Sequence, residues 1–235
     1  MGAGVDQGIG FGRDLLARHA GIAQPTTFSM LDLEWDLLPG VFAPVFTGAS
    51  SLFASWVPYP AGGAFLDMGS GMGMVAVCAA RAGCASVTAA DIDEQAVANT
   101  ARNAERHGVD DRLRAVHSDL FTALTGQRFD MIFWNSNFVE VDEDYPFTVP
   151  LERALFDPGY ATHRRFFAEA RDHLRPGGRL LLGFSSMGRV DRVEQVAAEC
   201  GHRTAVLVEE VRHVPHPVRY LLLEFTPATA SGLDG

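Results

Sequence analysis

The chain has 235 residues, 47% of them apolar and 20% charged, which excludes a mostly disordered polymer and is enough to bury one sizeable core. Acidic residues outnumber basic ones by 29 to 19, giving a formal charge of -10, so neither a nucleic-acid partner nor a membrane surface is expected. Every basic residue is an arginine, and without lysine there is neither Schiff-base chemistry nor a Walker-type phosphate grip.

Cys78, Cys84 and Cys200 form neither a disulfide framework nor a CxxC site, so the expected compartment is the cytoplasm. The glycine-rich start, Met1 to Gly12, lacks the cationic and apolar stretches of a signal peptide. No run approaches the ~20 apolar residues that span a bilayer.

Residues 1–60 read as an N-terminal extension that caps the rest, with short helices over Phe11–His19 and Gly48–Trp56 and an extended segment over Pro39–Pro44. Its aromatics Phe28, Trp35, Phe42 and Phe46 dock it, and Trp35 and Phe46 are candidates to roof a pocket. From residue 61 to 228 short apolar runs alternate with helical stretches, the pattern of a layered α/β sheet. Strands are expected over Ala64–Met68, Ser86–Ala90, Leu113–His117, Arg128–Trp134, Arg179–Phe184, Thr204–Val211 and Val218–Phe225, with the last two forming an edge hairpin. Helices are expected after Gly73, over Asp93–His107, over Gly159–Leu174 and over Val190–Cys200. Periodicity fails between Asn135 and Asp157, which reads as a lid or binding loop, and residues 229–235 read as a flexible tail.

The chemistry concentrates at strand ends. Asp67-Met68-Gly69-Ser70-Gly71-Met72-Gly73 places an acid and three glycines between a buried strand and a helix. A Cβ there would obstruct a tight turn and hold a ligand away from the backbone. The dinucleotide fingerprint needs a glycine where Met74 stands, while Asp67 suits a cationic ligand. Asp91, closing the second strand, is placed to accept from ribose hydroxyls, and Asp119, within Ser118-Asp119-Leu120, can meet an exocyclic amine. Three acids at three successive strand ends describe one crevice.

With these residues the chain resembles the class I S-adenosylmethionine-dependent methyltransferases over roughly residues 40–226, including the turn Leu174-Arg175-Pro176-Gly177-Gly178. The resemblance implies a Rossmann-like seven-stranded mixed sheet in the order 3214576, with strand 7 antiparallel and helices on both faces. It also implies S-adenosylmethionine as cofactor and S-adenosylhomocysteine as product. The cofactor contacts it implies are Asp67, Gly69, Ser70, Gly71, Gly73, Asp91, Ser118, Asp119, Leu120 and Asn135, with Ile92 against the adenine.

After the fourth strand, Asn135-Ser136-Asn137-Phe138 is similar to the Asn-Pro-Pro-Tyr/Phe motif of the glutamine-methyltransferase-like small-domain subgroup, with both prolines replaced. The Leu38–Pro44 segment resembles the same subgroup. Asn135 and the Ser136 carbonyl are candidate catalytic acceptors for the hydrogens of a target nitrogen, with Glu140 as a third catalytic candidate. Phe138, Tyr145, Tyr160 and Trp35 are candidate acceptor-binding residues, and His163 a candidate base. The acidic lid Glu140, Asp142, Glu143 and Asp144 could enclose an amine or guanidinium. His213 and His216 lack a third ligand in view, so no metal is expected.

The expectation is N-methylation of a small molecule by direct in-line transfer, with a homodimer possible. Protein glutamine methylation, O- or C-methylation, a nucleotide-binding interaction module and a nicotinamide-linked oxidoreductase are the alternatives.

Overall fold

The computed structural model describes the backbone of residues 3–213 and 217–228, with side chains from residue 8 onward. His216 and the expected tail lie outside the described residues.

The centre is a seven-stranded sheet built from β3 (Ala64–Met68), β4 (Ser86–Asp91), β5 (Leu113–His117), β6 (Phe129–Asn135), β9 (Leu174–Ser185), β10 (His202–His213) and β11 (Pro217–Pro227). Its spatial order is β5-β4-β3-β6-β9-β11-β10, which in core-strand numbers is 3214576. β11 runs antiparallel to both β9 and β10, while β3 through β6 and β9 pair in parallel. All five residues of β3 are buried, as a central parallel strand covered on both faces requires.

Helices α3 (Met74–Arg81) and α4 (Glu94–Arg106) follow β3 and β4. α5 (Ala161–Ala170) leads into β9, and α6 (Val190–Glu199) into β10. α4 begins at Asp93, whose side chain accepts from the Gln95 N–H at 2.9 Å, a standard N-cap. β9 starts earlier than expected: Phe129 pairs with Leu174 and Met131 with Arg179, so the intervening Arg175–Gly178 turn bulges from the ladder.

The first sixty residues hold more structure than the sequence reading gave them. Helix α1 runs from Ala3 to His19, and β1 (Thr26–Met30) pairs antiparallel with β2 (Leu33–Leu37). This hairpin escaped sequence reading because its turn residues, Leu31 and Asp32, adopt positive φ without glycine. Pro39–Pro44 makes a turn running into a short 3₁₀ helix, and α2 (Ala49–Trp56) lies where a helix was expected. The segment after β6 is an open loop only in part: β7 (Val139–Val141) pairs in parallel with β8 (Phe156–Pro158).

Candidate functional site

The C-terminal ends of β3, β4, β5 and β6 open into one cavity of about 270 Å³. Gly69, Gly71 and Gly73 all have positive φ. At Gly69 an added Cβ would meet the Trp134 indole nitrogen at 2.9 Å, so the turn lies against that ring. At Gly71 it would meet nothing within 4 Å, so glycine is there for its backbone conformation and leaves open space beside the cavity.

Polar groups brace this loop from two sides. Asp91 accepts the Gly71 N–H through Oδ2 at 2.8 Å and the Asp93 N–H through Oδ1 at 3.0 Å. From α4, Thr100 Oγ1 donates to the Gly71 carbonyl at 3.0 Å, and Asn103 Nδ2 donates to that of Met72 at 2.8 Å. Ser70 Oγ shares a 3.2 Å hydrogen bond with Thr100. Sequence reading missed Thr100 and Asn103; the signal was a buried polar triplet with Asn99 on one helical face.

Asp67 is buried and lines the cavity, with its Oδ2 accepting the Ala76 N–H at 3.0 Å. Burial raises its carboxyl to about 8, against the lowering effect of that hydrogen bond, and the Asp91 charge adds to the rise. Burial likewise pushes Asp91 above the usual carboxylate range, opposed by its backbone donors. A cation in the crevice would return both groups to their ionised forms.

Ile92 is 43% exposed although apolar, and it lines the same cavity. Asp119 is there too, with its carboxylate paired to Arg165 Nη1 at 3.0 and 3.1 Å, so an arriving amine would share it with that guanidinium. Ser118 shapes the turn, donating to the Leu120 carbonyl at 2.6 Å and accepting from the Ala123 N–H, while Leu120 sits at positive φ. These residues fit an adenosine sulfonium: a glycine turn without side-chain bulk, an acid at the end of β4, an exposed apolar face and a buried acid beside the turn.

At the end of β6, Asn135 Nδ2 donates to Ser50 Oγ at 3.3 Å, and its buried Oδ1 has no hydrogen-bond partner among the described residues. Ser136 N–H and Oγ both donate to the Gly183 carbonyl, fixing this residue without the proline. Asn137 Nδ2 donates to the Phe156 carbonyl at 2.9 Å and so ties the loop to β8. Trp134, Thr162 and Arg165 also line the cavity and went unnoticed in the sequence.

Gly73, expected as a cofactor contact, is not on the cavity wall, since its place beside Thr100 turns it toward α4, and several residues expected on the acceptor side are not brought to the cavity either. β7 alternates, with Val139 and Val141 buried on one side, so Glu140 points away and pairs with Arg189 and Arg192, each at 3.6 Å. Trp35 is fully buried, donating to the Met30 carbonyl at 2.8 Å and tilted against the His107 ring with centroids 4.6 Å apart. Tyr145 donates to Glu152 and packs behind Phe147 and Phe156.

Tyr160, fully buried, donates to the Phe138 carbonyl at 2.8 Å and accepts the Arg189 N–H, so it supports the loop from behind. His163 is buried as well, its Nδ1 2.6 Å from Asp157, and it packs on Trp134 outside the cavity wall. Phe46, the other expected roof residue, packs on His19 and under Arg18. The roof comes instead from α1, through Phe11 and Leu15, together with Phe42, and Phe138 is on the wall.

Among the described residues no helix is long and apolar enough to cross a membrane, and no three His, Cys, Asp or Glu side chains gather as metal ligands.

Two curated proteins illustrate the sequence similarity. The ribosomal protein uL3 glutamine methyltransferase of Francisella tularensis is 31% identical over 124 residues, half of this chain and 40% of that protein. The release factor glutamine methyltransferase of Salmonella typhimurium is 36% identical over 125 residues, half of this chain and 44% of that protein. The chain therefore aligns with less than half the length of these relatives.

Among solved structures, a ribosomal protein L11 methylase from Lactobacillus delbrueckii subsp. bulgaricus superimposes with a TM-score of 0.57 at 19% identity, covering 81% of this chain and 83% of that one. TYW2 of P. horikoshii, solved with MeSAdo, gives 0.60 at 17%, covering 88% and 72%. At such identities the likeness establishes the fold. The family model described as Methyltransferase small domain matches residues 33–201, well over half of the chain, and the chain belongs to that family.

Proposed function

We propose that this chain transfers a methyl group from S-adenosylmethionine to a planar nitrogen of a small molecule. The observation that carries the reading is that Asn135, a residue of the cavity that the glycine loop also lines, holds a buried side-chain oxygen, Oδ1, without a partner among the described residues. An acceptor left in that state costs roughly 1–3 kcal/mol unless a ligand satisfies it. A substrate N–H is the group it fits.

The cofactor supplies, when bound, a methyl carbon on a positively charged sulfur. The chain's own part is to bind, orient and exclude water. The glycine turn and Asp91 hold the sugar end, while Asp67 lies within reach of positive charge. Asn135 Oδ1 accepts the nitrogen's hydrogen, turning the lone pair toward the methyl in an in-line displacement that needs near-attack geometry more than a base.

A second reading, protein glutamine as acceptor, is favoured by the activities named for the 31% and 36% identical relatives. One experiment decides: incubate the chain with methyl-labelled S-adenosylmethionine and a whole extract, then separate the low-mass fraction from protein. Label in the small-molecule fraction, lost in Asn135→Ala, is the expected result. Label confined to a protein glutamine would replace the small-molecule reading with the second one.

A further inference from the structure

The acceptor end of the cavity has a chemical character of its own. Phe11, Leu15, Phe42, Phe138, Phe147 and Phe156 line it. Four of these, Phe11, Phe42, Phe138 and Phe147, are only half-buried, so their rings retain accessible surface in a cluster that is otherwise closed. None of the lid carboxylates Glu140, Asp142, Glu143 or Asp144 is on the wall. Among the described residues the charged side chain at this end is Arg153, whose guanidinium lies 4.4 Å from the centre of the Phe147 ring.

Helix α1 supplies Phe11 and Leu15 to this box and is fitted to it closely. A Cβ on Gly8 would meet the Met187 carbonyl oxygen at 2.5 Å, and one on Gly12 would meet the Phe156 ring at the same distance. Two glycines one turn apart thus let the helix backbone sit directly on the loop after β9 and on β8. Its C-terminus is pinned as well, because His19 Nε2 accepts the Ala43 N–H at 2.7 Å while Nδ1 bonds the Leu15 carbonyl at 2.7 Å.

Given the methyltransferase reading above, on which this step rests, we infer that the acceptor is a neutral aromatic amine or nitrogen heterocycle, held in the box that α1 completes. Alkylamines and guanidines are cations at neutral pH; here they would lose hydration, meet no carboxylate among the described residues and face Arg153. A phenol must shed its proton before attack, and among the described residues this end of the cavity presents no histidine or carboxylate to take it. An arylamine is uncharged because its lone pair is conjugated, it stacks on aromatic walls, and its N–H fits Asn135 Oδ1.

In the transfer the nitrogen lone pair forms the new N–C bond. The S–C bond breaks with its electron pair left on sulfur as a thioether, and the extra proton on nitrogen passes to water. A glutamine on a polypeptide would instead need room for chain on both sides, where α1 is seated.

The test uses the full chain and two isomeric probes, 4-methylaniline and phenylmethylamine, titrated in the presence of S-adenosylhomocysteine, whose own binding is measured first by calorimetry. The neutral arylamine is expected to bind about tenfold or more tighter than the cation. Phe11→Ala and Phe147→Ala should each weaken the arylamine about tenfold, the scale of losing one ring's apolar contact, and leave S-adenosylhomocysteine unchanged.

Equal or tighter binding of phenylmethylamine, or arylamine affinity unmoved in both variants with their helical signal intact, overturns the acceptor class alone. Absence of heat with S-adenosylhomocysteine overturns the methyltransferase reading beneath it.

Discussion

Asp67 is a single carboxyl whose state the fold has changed. Burial raises it to about 8, so below that pH the ligand-free chain holds a proton that an unfolded chain releases in the ordinary carboxylate range. Its contribution to stability is therefore complete at acid pH and is lost as pH rises toward 8. A sulfonium ligand favours the ionised carboxyl and displaces that proton. Affinity for S-adenosylmethionine should then rise up to about tenfold per pH unit between about 6 and 7.5, and Asp67→Asn should flatten the slope in calorimetric titrations.

At Gly71 the constraint is conformational: φ is +57°, and Gly71→Arg adds strain and a side chain beside the cavity. That variant, or Asp91→Ala, which removes the acceptor of the Gly71 N–H, should abolish or strongly weaken S-adenosylhomocysteine binding, and unchanged calorimetric affinity would reject the assignment.

His19 shows the opposite sign. Burial lowers its pKa below the usual histidine value, the Leu15 carbonyl opposes this, and Arg18 adds to it. Its Nε2 must stay unprotonated to accept from Ala43. The associated stability is full above the unfolded value of about 6.5 and is lost as pH falls from there toward the folded value. Because Asp67 pulls the other way over the same range, the His19 part is read as a difference: the melting temperature of His19→Gln, which keeps an acceptor without the titration, should rise relative to that of the parent chain as pH falls from 7 to 5.

Among the elements, α4 carries a role that its outward polarity conceals. Asn99, Thr100 and Asn103 are fully buried on one face. Asn99 and Asn103 both donate to the Asp36 carbonyl, and Asn103 Oδ1 accepts the Asp36 N–H, so the β1–β2 hairpin and the glycine loop hang from one helix. Arg106 adds a two-pronged bond to the Asp36 carboxylate and holds it below the usual carboxylate range.

Asn103→Ala strands the Asp36 N–H and the Met72 carbonyl in a buried setting, at a cost of about 1–3 kcal/mol in denaturant unfolding. Thr100→Ala, a smaller change, should lower cofactor affinity more than stability, because its hydroxyl holds the Gly71 carbonyl. The same scale explains Glu140: its sequence distance from Asn135 was a poor guide, because strand alternation decides which side of β7 faces the cavity.

For the whole molecule, the cofactor end of the crevice draws on the loops after β3, β4, β5 and β6 at once, so a ligand that fills it should stabilise these strands together. S-adenosylhomocysteine at about a hundred times its dissociation constant should add about 2.7 kcal/mol. In a chain of this length that corresponds to a rise of roughly 5–10 °C in melting temperature, readable by calorimetry. No rise would mean that the folded chain does not bind it.

The sheet and its loop were legible in the sequence because their signals are local. A buried strand such as Ala64–Met68 is a continuous apolar run, a glycine turn must be written with glycines, and the acids at 67, 91 and 119 are placed by counting along strands. What covers the acceptor end was not legible. Phe11 and Leu15 read only as one face of a short helix, and Trp35 and Phe11 are equally plausible aromatics until packing buries one and leaves the other on the cavity wall. Hydrophobic burial rewards any apolar neighbour, so sequence determined that the N-terminal aromatics dock, and only tertiary packing decided which of them line the cavity.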